Sequence, residues 1–174
     1  MSTVLTTPQY HVELIDGREV EKPLPKKLHV RIQKFLIVEL TRQLPSRYES
    51  LPELNILTGR RTPEGRREYT VPDVTVVAAG MKYEEGDLAE PPIWAVEILS
   101  PGQTIADLFV RAERLLKLGA PLAWVIWPEK RKAWEYRPGD LTEKFDALTG
   151  VPPEDDGLEI RVPLAEMWEE MTRF

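Results

Sequence analysis

Apolar and polar positions change period several times along the chain, and each change predicts an element. Residues 10–22, YHVELIDGREVEK, hold two short runs on either side of Asp16-Gly17, the signature of a two-residue β-hairpin. In residues 24–44 the apolar positions Leu28, Ile32, Phe35, Leu36 and Leu40 recur at helical spacing, which predicts an amphipathic helix ended near Pro45. Residues 48–57, YESLPELNIL, read as a strand with an edge or bulge at Pro52, and residues 59–67, GRRTPEGRR, as a turn. Residues 68–80, EYTVPDVTVVAAG, are rich in β-branched side chains and predict a strand. A loop over residues 81–92 leads to IWAVEILS, a strand apolar on both faces.

The next segment, TIADLFVRAERLLKLGA, returns to helical spacing. Ile105, Leu108, Ala112, Leu115 and Leu116 form its apolar stripe, and Thr104, Asp107, Arg111 and Arg114 fall on the other side. Thr104 is placed to cap its start and Gly119 its end. LAWVIWP (residues 122–128) is a further apolar strand, so strand, helix and strand follow one another as in a parallel crossover unit. KAWEYRPGD then reads as its hairpin partner, and GLEIRVPLAEMWEEM as a last strand and a short helix. The pattern predicts an α/β fold: a central mixed sheet flanked by helices, with peripheral antiparallel hairpins. No repeat or long linker divides it, so residues 1–174 are expected to form a single domain.

Composition narrows this picture. The net charge of −6 argues against a broad nucleic-acid footprint, although GRRTPEGRR and EKRKAWEYR (residues 129–137) offer local basic patches. The absence of cysteine excludes disulfides, thiolate metal sites and a cysteine nucleophile. No run approaches the roughly 18 apolar residues of a membrane span, and the first 17 residues lack the form of a signal peptide. No membrane association and a cytoplasmic location are therefore expected.

Two acids interrupt apolar runs: Asp73 in TVPDVTVV and Glu97 in WAVEILSPG. A buried carboxylate is unfavourable unless something pairs with it. If the two strands are neighbours, the carboxylates converge, and a hard divalent cation would resolve their repulsion. Such a cation can activate water and stabilise charge on a phosphate. The competing arrangement is an ion pair: Arg111, on the helix that follows, is placed to reach back to Glu97. Glu13, in the first hairpin, either approaches the same cleft or is exposed. His29, near a helix start, reads as a surface or boundary residue, and Ser100 lacks a sequence-near base or a nucleophile elbow. Trp94, Trp124 and Trp127 read as core.

VPDVTVV, followed by PPIWAVEILSPGQTIADLFVRAERLLKLGAPLAWVIWPEKRKAWEYRPG, resembles the Uma-two family of restriction-endonuclease-like proteins in the PD-(D/E)XK nuclease superfamily. VELIDGREV and the helix containing His29 match the family's usual opening. The resemblance implies a restriction-endonuclease-like core, Mg²⁺ or Mn²⁺ as cofactor, and Asp73, Glu97 and the backbone carbonyl of Ile98 as metal ligands. It implies a nucleic-acid substrate, DNA above RNA, with Glu13 as an accessory acid, and a homodimer for which the LAWVIWP and KAWEYR strands would offer an edge. The superfamily's lysine, two residues after the glutamate, is replaced here by Leu99; the position to which the family moves it is Arg111, with Asp107 one turn earlier. Two readings stand at this point. One is a metal-dependent endonuclease using Asp73, Glu97, Arg111 and Glu13. The other is a non-catalytic binding or interaction protein on a nuclease fold, with a Glu97–Arg111 pair in place of the metal.

Overall fold

The structure is a computed structural model that describes residues 10–173; the first nine residues, which belong to the stretch read as lacking the form of a signal peptide and to the expected single domain, lie outside the described residues. The chain opens with the predicted hairpin, β1 (Tyr10–Ile15) and β2 (Arg18–Pro23). Asp16 and Gly17 both have positive φ, 50° and 72°, which a two-residue primed turn requires and which Asp-Gly adopts at little strain. Helix α1 (Lys27–Gln43) ends on Leu44, whose backbone is extended as the following Pro45 demands.

The two long strands expected next are each divided. Residues 48–57 form β3 (Tyr48–Pro52) and the start of β4 (Ile56–Arg61); residues 68–80 form most of β5 (Arg67–Thr70) and then β6 (Val74–Ala78). In both cases the halves join different sheets. Pro72 explains the second break, because it has no N–H to continue a ladder. The expected loop at 81–92 contains a small hairpin, β7 (Tyr83–Glu84) and β8 (Asp87–Leu88).

The predicted crossover is present: β9 (Trp94–Ile98), α2 (Ile105–Leu118) and β10 (Ala123–Trp127), with β9 and β10 parallel. Thr104 and Asp107 form a reciprocal capping box at the start of α2, and Gly119 caps its end at φ 115°. Strand β11 (Lys132–Arg137) is the antiparallel partner of β10, followed by β12 (Asp140–Lys144), β13 (Ala147–Gly150), β14 (Ile160–Pro163) and α3 (Leu164–Glu170).

Two six-stranded sheets result. One has the order β2-β1-β5-β4-β8-β7, the other β12-β11-β10-β9-β6-β3, and β13 pairs with β14. The strands expected to offer a dimer edge, β10 and β11, are interior to the second sheet, whose edges are β12 and β3. Helix α1 packs Ile32, Leu36 and Leu40 on one face of that sheet, against Val74, Val96, Trp94 and Ile126. Helix α2 packs Leu108 and Ala112 on the other face, against Ala123 and Val125. This explains why all five residues of β9 are buried, and each large apolar side chain so buried contributes about 1.5–3 kcal/mol. It also fixes the direction of Glu97: with its i−2 neighbour Ala95 it lies on the α2 side, while Val96 and Ile98 face α1.

Candidate active site

The site forms where the chain leaves the first sheet for the second. Val71, Pro72 and Asp73 make that passage, so Asp73 lies between strands and not inside one. Side chains satisfy much of the backbone there. The Val71 N–H donates to Glu13 Oε1 at 2.6 Å, and the Val71 carbonyl accepts from Lys22 Nζ at 2.7 Å. Gln33 Nε2 donates to the Asp73 carbonyl at 2.8 Å, and the Asp73 N–H donates to the Val96 carbonyl.

The Asp73 carboxylate is fully buried. Its Oδ2 accepts the Ile98 N–H at 2.6 Å. Its Oδ1 lies 2.6 Å from Lys22 Nζ and 3.2 Å from His29 Nε2, close contacts without hydrogen-bond alignment. Burial alone would raise its pKa, but the Lys22 ammonium and His29 outweigh that and hold it below the usual carboxylate range. Lys22 is itself buried; desolvation works against its charge, yet Asp73 and Glu97 hold its pKa above the ordinary lysine value.

Glu97 is equally buried, 1 % exposed, and its surroundings differ. Arg111 Nε donates to Oε2 at 3.2 Å, and Oε1 is buried without a hydrogen-bond partner. The rest of the Arg111 guanidinium is turned to Glu13: Nη1 donates to Oε2 at 2.5 Å and Nη2 to Oε1 at 2.7 Å, a two-pronged pair. Burial pushes the Glu97 carboxyl up to about 7; Arg111 and Lys22 oppose this, while the nearby charges of Asp73 and Glu13 add to it. Glu13 goes the other way: desolvation is outweighed by Arg111 and the Val71 N–H, which lower it.

The residues singled out in the sequence thus come together, with two corrections. Arg111 is not on a solvent-facing side of α2 but is buried, 7 % exposed, and its fork grips Glu13, with only Nε left for Glu97. His29 is not a surface residue: it is 2 % exposed and its Nδ1 lies 2.8 Å from Ser100 Oγ, which supplies Ser100 with the imidazole that no nearby sequence provided. Lys22, Gln33 and Glu53 were not anticipated. Two of them have a placement that points inward once the fold is known: Lys22 shares the inward face of β2 with Val20, and Gln33 stands four after His29 on the stripe that carries Ile32, Leu36 and Leu40.

His29, Glu53 and Asp73 each bring one ligand atom within 4.8 Å of the others. Two carboxylates and an imidazole suit a divalent ion such as Mg²⁺ or Mn²⁺, the imidazole favouring Mn²⁺. Of the ligands that the sequence resemblance implied, this group contains Asp73 but not Glu97, and its donors suit the same class of divalent ion.

The basic turn is less basic than its sequence. Arg60 pairs with Asp16, Arg66 lies 3.2 Å from Glu19, and Arg67 lies 2.8 Å from Glu85; Arg61 Nη1 donates to the Gly65 carbonyl. In the second patch Arg137 lies 2.7 Å from Glu135. Among the described residues no helix is long and apolar enough to cross a membrane.

Among solved structures, the chain is similar to one described as a "putative nuclease belonging to DUF820" from Anabaena variabilis, with a TM-score of 0.76 and 26% identity over 96% of this chain and 94% of that one. The architecture is therefore a nuclease fold. No curated protein matches the chain. A family model described as "Putative restriction endonuclease", Uma2, matches residues 3–168, and the chain belongs to that family.

Proposed function

We propose that the chain is a divalent-metal-dependent endonuclease that hydrolyses nucleic-acid phosphodiester bonds, DNA before RNA. The observation that carries this reading is the convergence of buried acids and bases at the junction of the two sheets, centred on Asp73, in a nuclease fold. Asp73 and Glu97 would hold Mg²⁺ or Mn²⁺ with the Ile98 carbonyl, and His29 and Glu53 stand beside Asp73 as further donors. A bound ion would supply an activated water and charge stabilisation at the phosphate. The chain's own residues do the remaining work. Ile98 N–H fixes the Asp73 carboxylate. Arg111 orients Glu97 through Nε, and Glu13 fixes Arg111 in turn. Glu97 Oε1, which has no hydrogen-bond partner among the described residues, is the oxygen available to a ligand.

A second reading, a non-catalytic protein whose site is closed by ion pairs, rests on the Arg111 contacts alone. Calorimetric titration with Mn²⁺ beside a plasmid-cleavage assay separates the two. The nuclease reading expects the parent to bind Mn²⁺ and cleave, Asp73→Asn to do neither, and Arg111→Ala to lose about 10²–10³ in rate. A parent that neither binds Mn²⁺ nor cleaves leaves the ion-pair reading standing.

A further inference from the structure

We infer that Lys22 is the built-in counter-cation of Asp73, and that a divalent ion enters this site only by displacing its ammonium. The inference rests on the metal reading above and deepens it.

Asp73 has two oxygens, and the Ile98 N–H engages Oδ2. Oδ1 is the atom left to face a cation, and it is the atom beside His29 Nε2. Lys22 Nζ already stands on it at 2.6 Å. The ammonium is held from a second side by the Val71 carbonyl and is 4 % exposed. An ammonium and a divalent ion compete for one carboxylate oxygen, because two cations that close repel strongly where water is excluded. Metal uptake is then an exchange of cations, and its affinity is reduced by whatever Lys22 loses.

Arg111 does not play this part. Its Nε, Nη1 and Nη2 all donate to Glu97, Glu13 or the Val71 carbonyl, and none is placed on Asp73. Lys22 is also the residue that can yield. It comes from β2, an edge strand of the first sheet, on a flexible four-carbon stem, so it can withdraw without disturbing the β6–β9 pairing that holds Asp73 and Glu97.

The test is Mn²⁺ calorimetry on the full chain, on Lys22→Met, which keeps the stem and removes the charge, and on Lys22→Arg, which keeps the charge. Lys22→Met is expected to bind Mn²⁺ at least about tenfold more tightly than the parent, a change that needs only about 1.4 kcal/mol of relieved cation competition. Lys22→Arg is expected to bind no more tightly than the parent. Equal or weaker binding by a folded Lys22→Met overturns the inference while leaving the metal reading intact. Absence of Mn²⁺ binding in both the parent and Lys22→Met overturns the metal reading and the inference with it. A second measurement uses the native chain, so it stands even where Lys22→Met does not fold. Reductive methylation of Lys22, followed by peptide mass spectrometry, is expected to run several-fold faster with Mn²⁺ than without, because displacement exposes Nζ. An unchanged or slower rate overturns the inference.

Discussion

Asp73 and Glu97 are both carboxylates, both almost wholly removed from water, and held on adjoining segments, yet the protein treats them in opposite ways. Asp73 has a lysine and an imidazole at Oδ1 and a backbone N–H at Oδ2, and its pKa falls. Glu97 receives one edge of an arginine whose fork is committed to Glu13, and its pKa rises to about 7. Burial is the same in both cases, so the neighbours decide. The sequence pattern presented the two acids as a mutually repelling pair, with an arginine placed to reach Glu97. The structure adds basic partners for Asp73 and turns most of that arginine away from Glu97.

The sharpest way to break the contrast is Asp73→Ala. It leaves the Lys22 ammonium buried without its carboxylate and the Ile98 N–H without an acceptor. Stability should fall by about 3–5 kcal/mol, the usual result of removing one member of a buried pair. Because the folded pKa of Asp73 is lowered, its contribution is present above the ordinary carboxylate pKa and is lost only in strong acid. The deficit should therefore be seen in urea unfolding at pH 7 and still at pH 5. A variant as stable as the parent would remove Lys22 as the partner of Asp73.

Glu97→Gln should act with the opposite sign. Its folded pKa lies above the ordinary glutamate value of 4.5, so below that value the group is neutral in both states and its charge has no effect. As pH rises from about 4.5 to about 7, the unfolded chain releases the proton first, and the parent loses stability. Glu97→Gln should escape this loss, being about 1–3 kcal/mol more stable than the parent at pH 8 in metal-free buffer and no more stable at pH 4. Equal unfolding midpoints at both pH values would show that Glu97 is as well satisfied as Asp73.

The smallest effect extends the contrast to the surface. Arg60, Arg66 and Arg67 lie against Asp16, Glu19 and Glu85, so most of the turn's charge is already answered inside the protein. Replacing Arg60, Arg61, Arg66 and Arg67 by serine should weaken DNA binding only a few-fold. It should also flatten the salt dependence by less than the ~0.9 units of slope that each phosphate contact would give. Fluorescence anisotropy of labelled duplex over a salt series measures both quantities, and an unaltered slope would detach the turn from DNA binding.

Much of this fold is legible in the sequence because its signals are local. The Asp16-Gly17 turn, the Thr104–Asp107 capping box and the Gly119 cap each lie within a few residues of what they control. The divided strands were not legible, because residues 48–57 and 68–80 keep their β pattern while changing sheets. At the site, Asp73 and Glu97 stood out as acids in apolar runs. Lys22 and Gln33 did not, since polar residues on a hairpin and an amphipathic helix look ordinary until tertiary packing turns them inward. Arg111 was found, but its main partner was missed, because nothing local ties it to Glu13.

That last contact bears on how the protein folds. Glu13 and Arg111 are 98 positions apart, and Lys22 and Val71 are 49 apart, so the charged cluster closes large loops. Loops of that size form late relative to the hairpin and the crossover unit. Contacts made after the rate-limiting barrier govern how fast the native state is lost, not how fast it is reached. A cluster at the sheet junction that closes after that barrier acts as a kinetic latch, and loosening it is then expected to shorten the lifetime of the folded chain more than it slows refolding.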